Sequence, residues 1–383
     1  MNISERITTP FETRNMGQTL SEPVTTRDTA CCQDKKFKVG SSCMQGWRVN
    51  MEDSHTHLLS LPDDADTAFF AVYDGHGGAK IADYAGRHLH KYVIKRPEYQ
   101  EGNIAEAMKQ GFLETMYCNH FSFAELDNHM RYEESLGNEP SGTTAVTIII
   151  KGNKLYCANV GDSRAVASIS GKSEELSEDH KPSNSKEYNR IVAAGGWVDA
   201  NRVNGSLALS RALGDYAFKR NQYKGPEEQM VIAYPDVVER TIDENWEFIV
   251  LACDGIWDVM STREVVRYVR ENIAAGLEPE DICENLMMRC LAPDCQMAGL
   301  GCDNMTVVIV ALLHGDTYEK LQEKCKVPIV DPTLFEQLLA KVERGEYISS
   351  TTFYEPEDQE SEEENDESPA NEQSGNSEKC GVE

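Results

Sequence analysis

The sequence predicts an α+β fold in which antiparallel sheets are covered by helices, not a doubly wound parallel sheet. Three observations point there. Apolar, β-branched runs arrive in hairpin-like groups: TTAVTIIIKGNKLYCANVGDSRAVASI (Thr143 to Ile169) reads as three strands with turns at Gly152-Asn153 and Gly161-Asp162. Blocks with apolar residues at helical spacing separate these groups, where a parallel sheet would need a helix after every strand. The remaining apolar runs are short and end abruptly beside Gly, as buried strands do, and the chain contains no internal repeat.

The elements follow in chain order. Residues 1–32 are rich in Thr and Ser and poorly patterned, so a flexible segment is expected there. Arg48-Val49-Asn50-Met51-Glu52-Asp53, if extended, places Arg48, Asn50 and Glu52 on one face, because strand side chains alternate. FFAVYDGHGG (Phe69 to Gly78) reads as a buried strand ending in a tight turn, followed by a helix from Ala79 to Lys95 and another from Ile104 to Arg131. After the three-stranded run comes a shorter helix, Lys186 to Ala194. EFIVLACDG (Glu247 to Gly255) is a buried strand, Arg263 to Ile273 and Pro279 to Leu291 are helices, and NMTVVIVALL (Asn304 to Leu313) is the last strand. The body is bounded at residues 33–314, with a helical extension over 315–350 and a tail over 351–383.

Composition limits the function. The 383 residues carry a formal net charge of −28 and are 40% hydrophobic, slightly low for a globular chain. Between Glu355 and Glu383 stand twelve acids and one base, with no aromatic residue and one Val. Such a stretch cannot bury enough surface to offset the entropy of ordering, so disorder is expected. A chain this acidic has no basis for nucleic-acid binding, which needs clustered Lys and Arg, nor for adhesion to an anionic membrane by charge. No apolar run approaches the roughly 18 to 20 residues that span a bilayer, and no signal peptide is evident in the first thirty residues. The twelve cysteines contain no C-x-x-C pair and no zinc-type spacing, which points to reduced thiols in a cytoplasmic or nuclear protein.

The chemistry-bearing residues cluster at strand ends. Asp74 follows Phe-Phe-Ala-Val-Tyr, Asp254 follows Ile-Val-Leu-Ala-Cys, and Asp303 precedes the last strand. A carboxylate beside an apolar strand is costly unless paired or metal-bound. Each Asp-Gly alone reads equally as a turn start, and a shared cation site competes with that reading because three such acids fall in one domain. Arg48 beside Glu52 is either a surface ion pair or a guanidinium for phosphate next to a carboxylate for a hard cation. An all-oxygen ligand set suits Mg²⁺ or Mn²⁺. Asp254 and Asp258, four apart, share a face if the chain turns helical there.

CMQGWRVNMEDSHT, FFAVYDGHGG, SGTTAV, NVGDSRAV, VNGSLALSRALGD, LACDGIWDVM and GCDNMTVVIV occur in this order. Together, over roughly Phe37 to His314, the chain resembles the metal-dependent protein serine/threonine phosphatases of type 2C. The resemblance implies a four-layer α-β-β-α sandwich, two antiparallel sheets flanked by helices. It implies that Asp74 bridges two metals, with the Gly75 carbonyl and Glu52 on one, and Asp254 and Asp303 on the other. Asp162 and Asp258 resemble ligands of a third, weaker metal shared with Asp254. Asp53 resembles the residue that orients the metal-held water, Arg48 the phosphate clamp and His76 the general acid. The implied reaction is hydrolysis of phosphoserine and phosphothreonine in proteins by direct attack of a metal-activated water. The alternatives are a catalytically silent phosphoprotein-binding module and an acidic scaffold. A monomer is expected.

Residues Lys181 to about Gly225 resemble the family's variable flap, in which Arg202 and Arg211 either dock a phosphopeptide or fasten the flap to the body. The loop Cys290 to Cys302 has no chemical role from sequence. Met16-Gly17-Gln18-Thr19-Leu20-Ser21 fits the N-myristoylation pattern, which requires Gly17 at a free N-terminus. A membrane is therefore a partner only for a form initiated at Met16, with Cys31 and Cys32 as sites for a second lipid. The acidic tail is either solvating or competes with phosphate at the metals.

Overall fold

The structure, a computed structural model, describes residues 19–113, 130–131, 140–295, 299–328 and 344. The elements lie within residues 1–329, one of two compact units of the chain. The strands of the body are β1 (Thr19–Gln33), β2 (Phe37–Arg48), β3 (Ser54–Leu58), β4 (Thr67–Tyr73), β5 (Gly75–His76), β6 (Gly142–Thr143), β7 (Ala145–Lys151), β8 (Lys154–Val160), β9 (Arg164–Ile169) and β10 (Lys172–Glu175). They continue with β11 (Val198–Asp199), β12 (Arg202–Val203), β13 (Leu213–Gly214), β14 (Asp236–Thr241), β15 (Trp246–Ala252) and β16 (Met305–Leu312). The helices are α1 (Lys80–Ile94), α2 (Pro97–Gln100), α3 (Ile104–Phe112), α4 (Ser185–Ala193), α5 (Asp254–Trp257), α6 (Thr262–Ala274), α7 (Pro279–Cys290) and α8 (Tyr318–Cys325).

Two sheets carry the body: six strands in the order β1-β2-β16-β15-β9-β10, and five in the order β14-β8-β7-β4-β3. Neighbouring strands in both are antiparallel. Period-two alternation inside these strands builds the layers. In β4, Ala68, Phe70 and Val72 point between the sheets, while Phe69, Ala71 and Tyr73 point to a core shared with Leu89 and Val93 of α1 and Phe112 of α3. In β16, Val308 and Val310 point between the sheets, and Val307 and Ile309 face Val265 and Val269 of α6 and Leu286 of α7. Strands apolar on both faces therefore separate three cores, and the result is the α-β-β-α sandwich. Each buried Phe or Val of the inner layer contributes about 1.5–3 kcal/mol relative to exposure.

The expected strands and helices of the body recur with shifts of a residue or two, with three corrections. The first 32 residues are not all irregular: Thr19–Gln33 forms β1, paired with β2 from Thr19 opposite Arg48 to Gln33 opposite Lys38. Its side chains are largely exposed, so no apolar alternation advertises it. The pairing slips between Thr19 and Val24, around Pro23, a residue that sheets tolerate at an edge or bulge. The helix expected from Ile104 to Arg131 stops at Phe112, with Leu113 already extended. Met130 and Arg131 are helical, and residues 114–129 lie outside the described ones. Finally, Gly255 lies inside α5, so the expected strand Glu247 to Gly255 gives way to helix at Asp254.

Of the extension expected over 315–350, α8 is described. The acidic tail and Gly17 lie outside the described residues. Cys295 and Cys302 are joined in a disulfide, their Cα atoms 5.9 Å apart, which corrects the expectation that all thiols are reduced. The pair is seven residues apart and meets because the loop folds back, with the Ala292 N–H donating to the Gly301 carbonyl at 2.9 Å. It packs on Trp47, whose indole N–H donates to the Ala292 carbonyl. The other described cysteines are free thiols. Among the described residues no helix is long and apolar enough to cross a membrane.

Candidate active site

One cleft collects the ends of several elements. Its lining includes Arg48 at the end of β2, Asp74 after β4, Gly75 and His76 of β5, Asp162 in the β8–β9 turn, Asp254 at the start of α5, and Asp303 before β16. Asn50 and Glu52 also line it, although residues 49–50 bend and do not continue the strand. The expected shared face of Arg48, Asn50 and Glu52 thus has a different cause. Asn304 donates through Nδ2 to the Gln45 and Asn50 carbonyls, and its Oδ1 accepts from the Glu52 N–H at 3.0 Å. Gln45 in turn donates to the Arg48 and Val49 carbonyls. Sequence reasoning missed Asn304, whose signal was its place directly after Asp303.

Two glycines admit backbone where no side chain fits. A Cβ on Gly75 would stand 2.1 Å from the Glu52 carbonyl oxygen, and one on Gly255 would stand 2.1 Å from the Asn304 carbonyl oxygen. Asp74 is held from both sides: its N–H donates to Thr144 Oγ1, and its carbonyl accepts from the Thr144 N–H and from Thr143 Oγ1.

Carboxylate oxygens of Asp74, Asp162 and Asp254 all lie within 4.8 Å of one another. Burial pushes the Asp74 carboxyl well above the usual range, and the charges of Asp254, Asp53, Asp303 and Asp162 push it further. Burial, then Asp162, Asp303 and Asp258, raise Asp254 in the same way, against the opposing charge of Lys181. Burial also raises Asp258, the cap of α5, whose N–H donates to the Asp254 carbonyl at 2.9 Å, so the two acids do share one helical turn. Asp53 is not among the residues that line the cleft. Burial pushes it up to about 7 despite a 2.7 Å hydrogen bond from Thr306 Oγ1 to Oδ2, and its Oδ1 has no partner. Asp303 is raised by burial, and Arg48, whose Nη2 bonds to its Oδ2, opposes the rise.

Such a set fits a hard divalent cation. The donors are oxygens only, Asp162 is buried and Asp74 and Asp254 half-buried, and they repel one another in the space where a 2+ charge would stabilise them. The cation would also give a partner to the orphaned oxygen of Asp53, directly or through water.

His76 has a partner that sequence reasoning missed. Its Nε2 stands 2.7 Å from Oδ2 of Asp215, a buried carboxylate just after β13. Burial alone would lower the His76 pKa, but the Asp215 charge and hydrogen bond, with Asp162 and Glu52 beyond, raise it above the ordinary value. Of the flap arginines, Arg211 is fully engaged: it donates to Glu187, to Asp236 and to the Tyr234 carbonyl, and so fastens the flap to the body. Arg202 lines the cleft and donates to the Ser206 carbonyl.

Fold and site together define a class of protein in which an oxygen-only acidic cluster, an arginine and a histidine share one cleft between sheet ends. The family model for protein phosphatase 2C matches residues 37–299. A probable protein phosphatase 2C of Caenorhabditis elegans is 59% identical over 315 residues, covering 82% of this chain and 85% of the relative. Protein phosphatase 2C homolog 2 of Schizosaccharomyces pombe is 48% identical over 305 residues, covering 78% of this chain and 80% of the relative. Among solved structures, a phosphatase from Toxoplasma gondii superposes with a TM-score of 0.60 at 25% identity, over 75% of this chain and 96% of the other. The chain belongs to the protein phosphatase 2C family. It is a metal-dependent protein serine/threonine phosphatase, and the silent binding module is not favoured.

Proposed function

We propose that this phosphatase works with two Mg²⁺ or Mn²⁺ ions, one held by Asp74, the Gly75 carbonyl and Glu52, the other by Asp74, Asp254 and Asp303. A third, weaker site is formed by Asp162, Asp254 and Asp258. The observation that carries this is the meeting of the Asp74, Asp162 and Asp254 oxygens within 4.8 Å, in the same cleft as Arg48 and His76. When bound, the cations supply a water acidic enough to attack near neutral pH and neutralise the phosphoryl oxygens.

The chain's own residues do the rest. Arg48 swings its planar fork from Asp303 to the phosphoryl oxygens, which it suits in bidentate fashion. Asp53, next in the chain to Glu52 and fixed by Thr306, orients the attacking water. His76 delivers the proton to the leaving serine or threonine oxygen. With Nε2 committed to Asp215, Nδ1 is the nitrogen left to donate it. Arg202 on the cleft lining meets an acidic residue of the substrate.

The test is phosphate release from a phosphothreonine peptide with Mn²⁺, with a chelator, and with Asp254→Ala. Release should need the metal and should fall by at least about a hundredfold in the variant. Metal-independent release would refute the reading. The predominance of free thiols among the described cysteines supports a cytoplasmic or nuclear location. A form initiated at Met16 presents Gly17 for N-myristoylation and shifts to membranes, and N-terminal mass spectrometry finding only unlipidated ends would remove that part.

A further inference from the structure

The corner of the cleft assigned to the third cation already contains a cation of the protein's own. Lys181 Nζ donates to Asp162 Oδ2 at 2.5 Å, and Asp162 is buried. The same ammonium acts on Asp254 and Asp258, where it favours the charged carboxylates. Lys181 thus bonds one of the three acids that would bind a divalent ion, and its charge reaches the other two.

Its anchoring makes this more than a surface ion pair. The preceding residue, His180, is buried, and its N–H donates to the Gly161 carbonyl at 2.9 Å, next to Asp162. The ring Nδ1 accepts from the Gly161 N–H, and Nε2 faces Asp236 Oδ2 at 3.1 Å. The His180 carbonyl accepts from both the N–H and the Oγ–H of Ser210. Three residues on, the Asn184 N–H donates to the Lys181 carbonyl, just before α4 begins. The lysine stem therefore rises from a fixed point at the root of the flap, and its charge reaches Asp162 as a tethered group at high effective concentration.

We propose that Lys181 is a displaceable internal cation that competes with a divalent ion for Asp162, Asp254 and Asp258. It makes that site weak and couples its occupancy to the root of the flap. A divalent ion that takes Asp162 Oδ2 has to expel the ammonium from it, because a 1+ and a 2+ charge at that distance repel. The apparent affinity is then reduced by the fraction of time the lysine is seated. The proposal rests on the third-site reading above, and the experiment separates the two.

The experiment counts bound Mn²⁺ on the full chain from the electron paramagnetic resonance signal of the free ion, across a titration. The wild type should show two tighter sites and one weak one. Lys181→Met should tighten the weak site about tenfold and leave the other two within about threefold. Lys181→Arg keeps the charge and should bind like the wild type. Lys181→Gln replaces the methionine variant if circular dichroism shows that variant unfolded. Asp162→Asn should abolish the weak site. If it does so while neither neutral variant tightens that site, the lysine's role is overturned and the third site stands. A stoichiometry of two in every protein overturns both.

Discussion

At the scale of single residues, the site depends on groups that hold other groups. Asp215 sits in the left-handed region, at φ 51° and ψ 39°, which an Asp tolerates better than most residues but not freely. Its N–H donates to the Ser141 carbonyl, and Gly142 leaves room for the pair it makes, since a Cβ there would stand 2.3 Å from Asp215 Oδ2 and 2.6 Å from His76 Nε2. That strain is repaid in the orientation and charge of His76. Because the carboxylate raises the His76 pKa, the imidazolium persists to higher pH than an ordinary histidine would. Asp215→Asn should therefore lower kcat about 10- to 100-fold and move the alkaline limb of the kcat profile to lower pH. A profile that stays in place while kcat falls would show that Asp215 does not tune this proton. The sequence quoted Asp215 inside VNGSLALSRALGD without giving it a role, because nothing local links it to a histidine 139 positions away. By contrast Asp74, Asp254 and Asp303 announced themselves, since a carboxylate next to an apolar strand demands an explanation.

At the scale of elements, the flap is a small lobe with its own apolar core, Ile191, Val203, Leu207, Leu209, Ala212 and Val231, and one buried ionic hub. Glu187 of α4 is 2% exposed and accepts from Arg190, Arg211 and Ser210. Those charges lower its carboxyl to about 2 despite its burial. Removing it leaves the Arg190 guanidinium without a counter-charge and Arg211 with Asp236 alone, which costs about 3–5 kcal/mol. Glu187→Ala should speed amide exchange across residues 185–232 and leave β4, β7 and β16 as protected as before. Equal acceleration in both regions would mean that the flap is not a separate cooperative unit. Elements were legible where side chains carry the pattern. The strands between Thr143 and Ile169 are apolar and buried along most of their length and separated by turn glycines, and their bounds came out within two residues. β1 was illegible because backbone pairing with β2, and not burial, defines it. The same holds for the disulfide, which depends on a loop returning to its start.

At the scale of the whole molecule, the net charge of −28 conceals opposite tendencies. Glu187 and Asp64 lie near 2 because cations and hydrogen-bond donors outweigh their burial, so they titrate only in strong acid. Asp53, Asp74, Asp254, Asp258 and Asp303 are raised, first by burial, and Asp53 reaches about 7. An acid whose folded pKa exceeds its unfolded value makes the folded state bind more protons than the unfolded one, so stability falls as pH rises toward the folded pKa. His76, also raised, acts in the same direction, since its contribution is complete below its ordinary pKa and is lost through the raised one. His55 and His90, lowered to about 4 by burial, act oppositely, and so does His57. These three draw on stability only below their ordinary pKa of about 6.5. In chelator, the thermal midpoint should therefore climb as the pH drops from 8 to about 6.5, and the three histidines oppose any further rise below that. Saturating Mn²⁺ should raise the midpoint more at pH 8 than at pH 6.5, because a carboxyl that holds a proton cannot also hold the metal. A chelated protein whose midpoint falls steadily from pH 8 to 6.5, or a Mn²⁺ effect larger at the lower pH, would mean that repulsion among the cleft acids is not what the cations relieve.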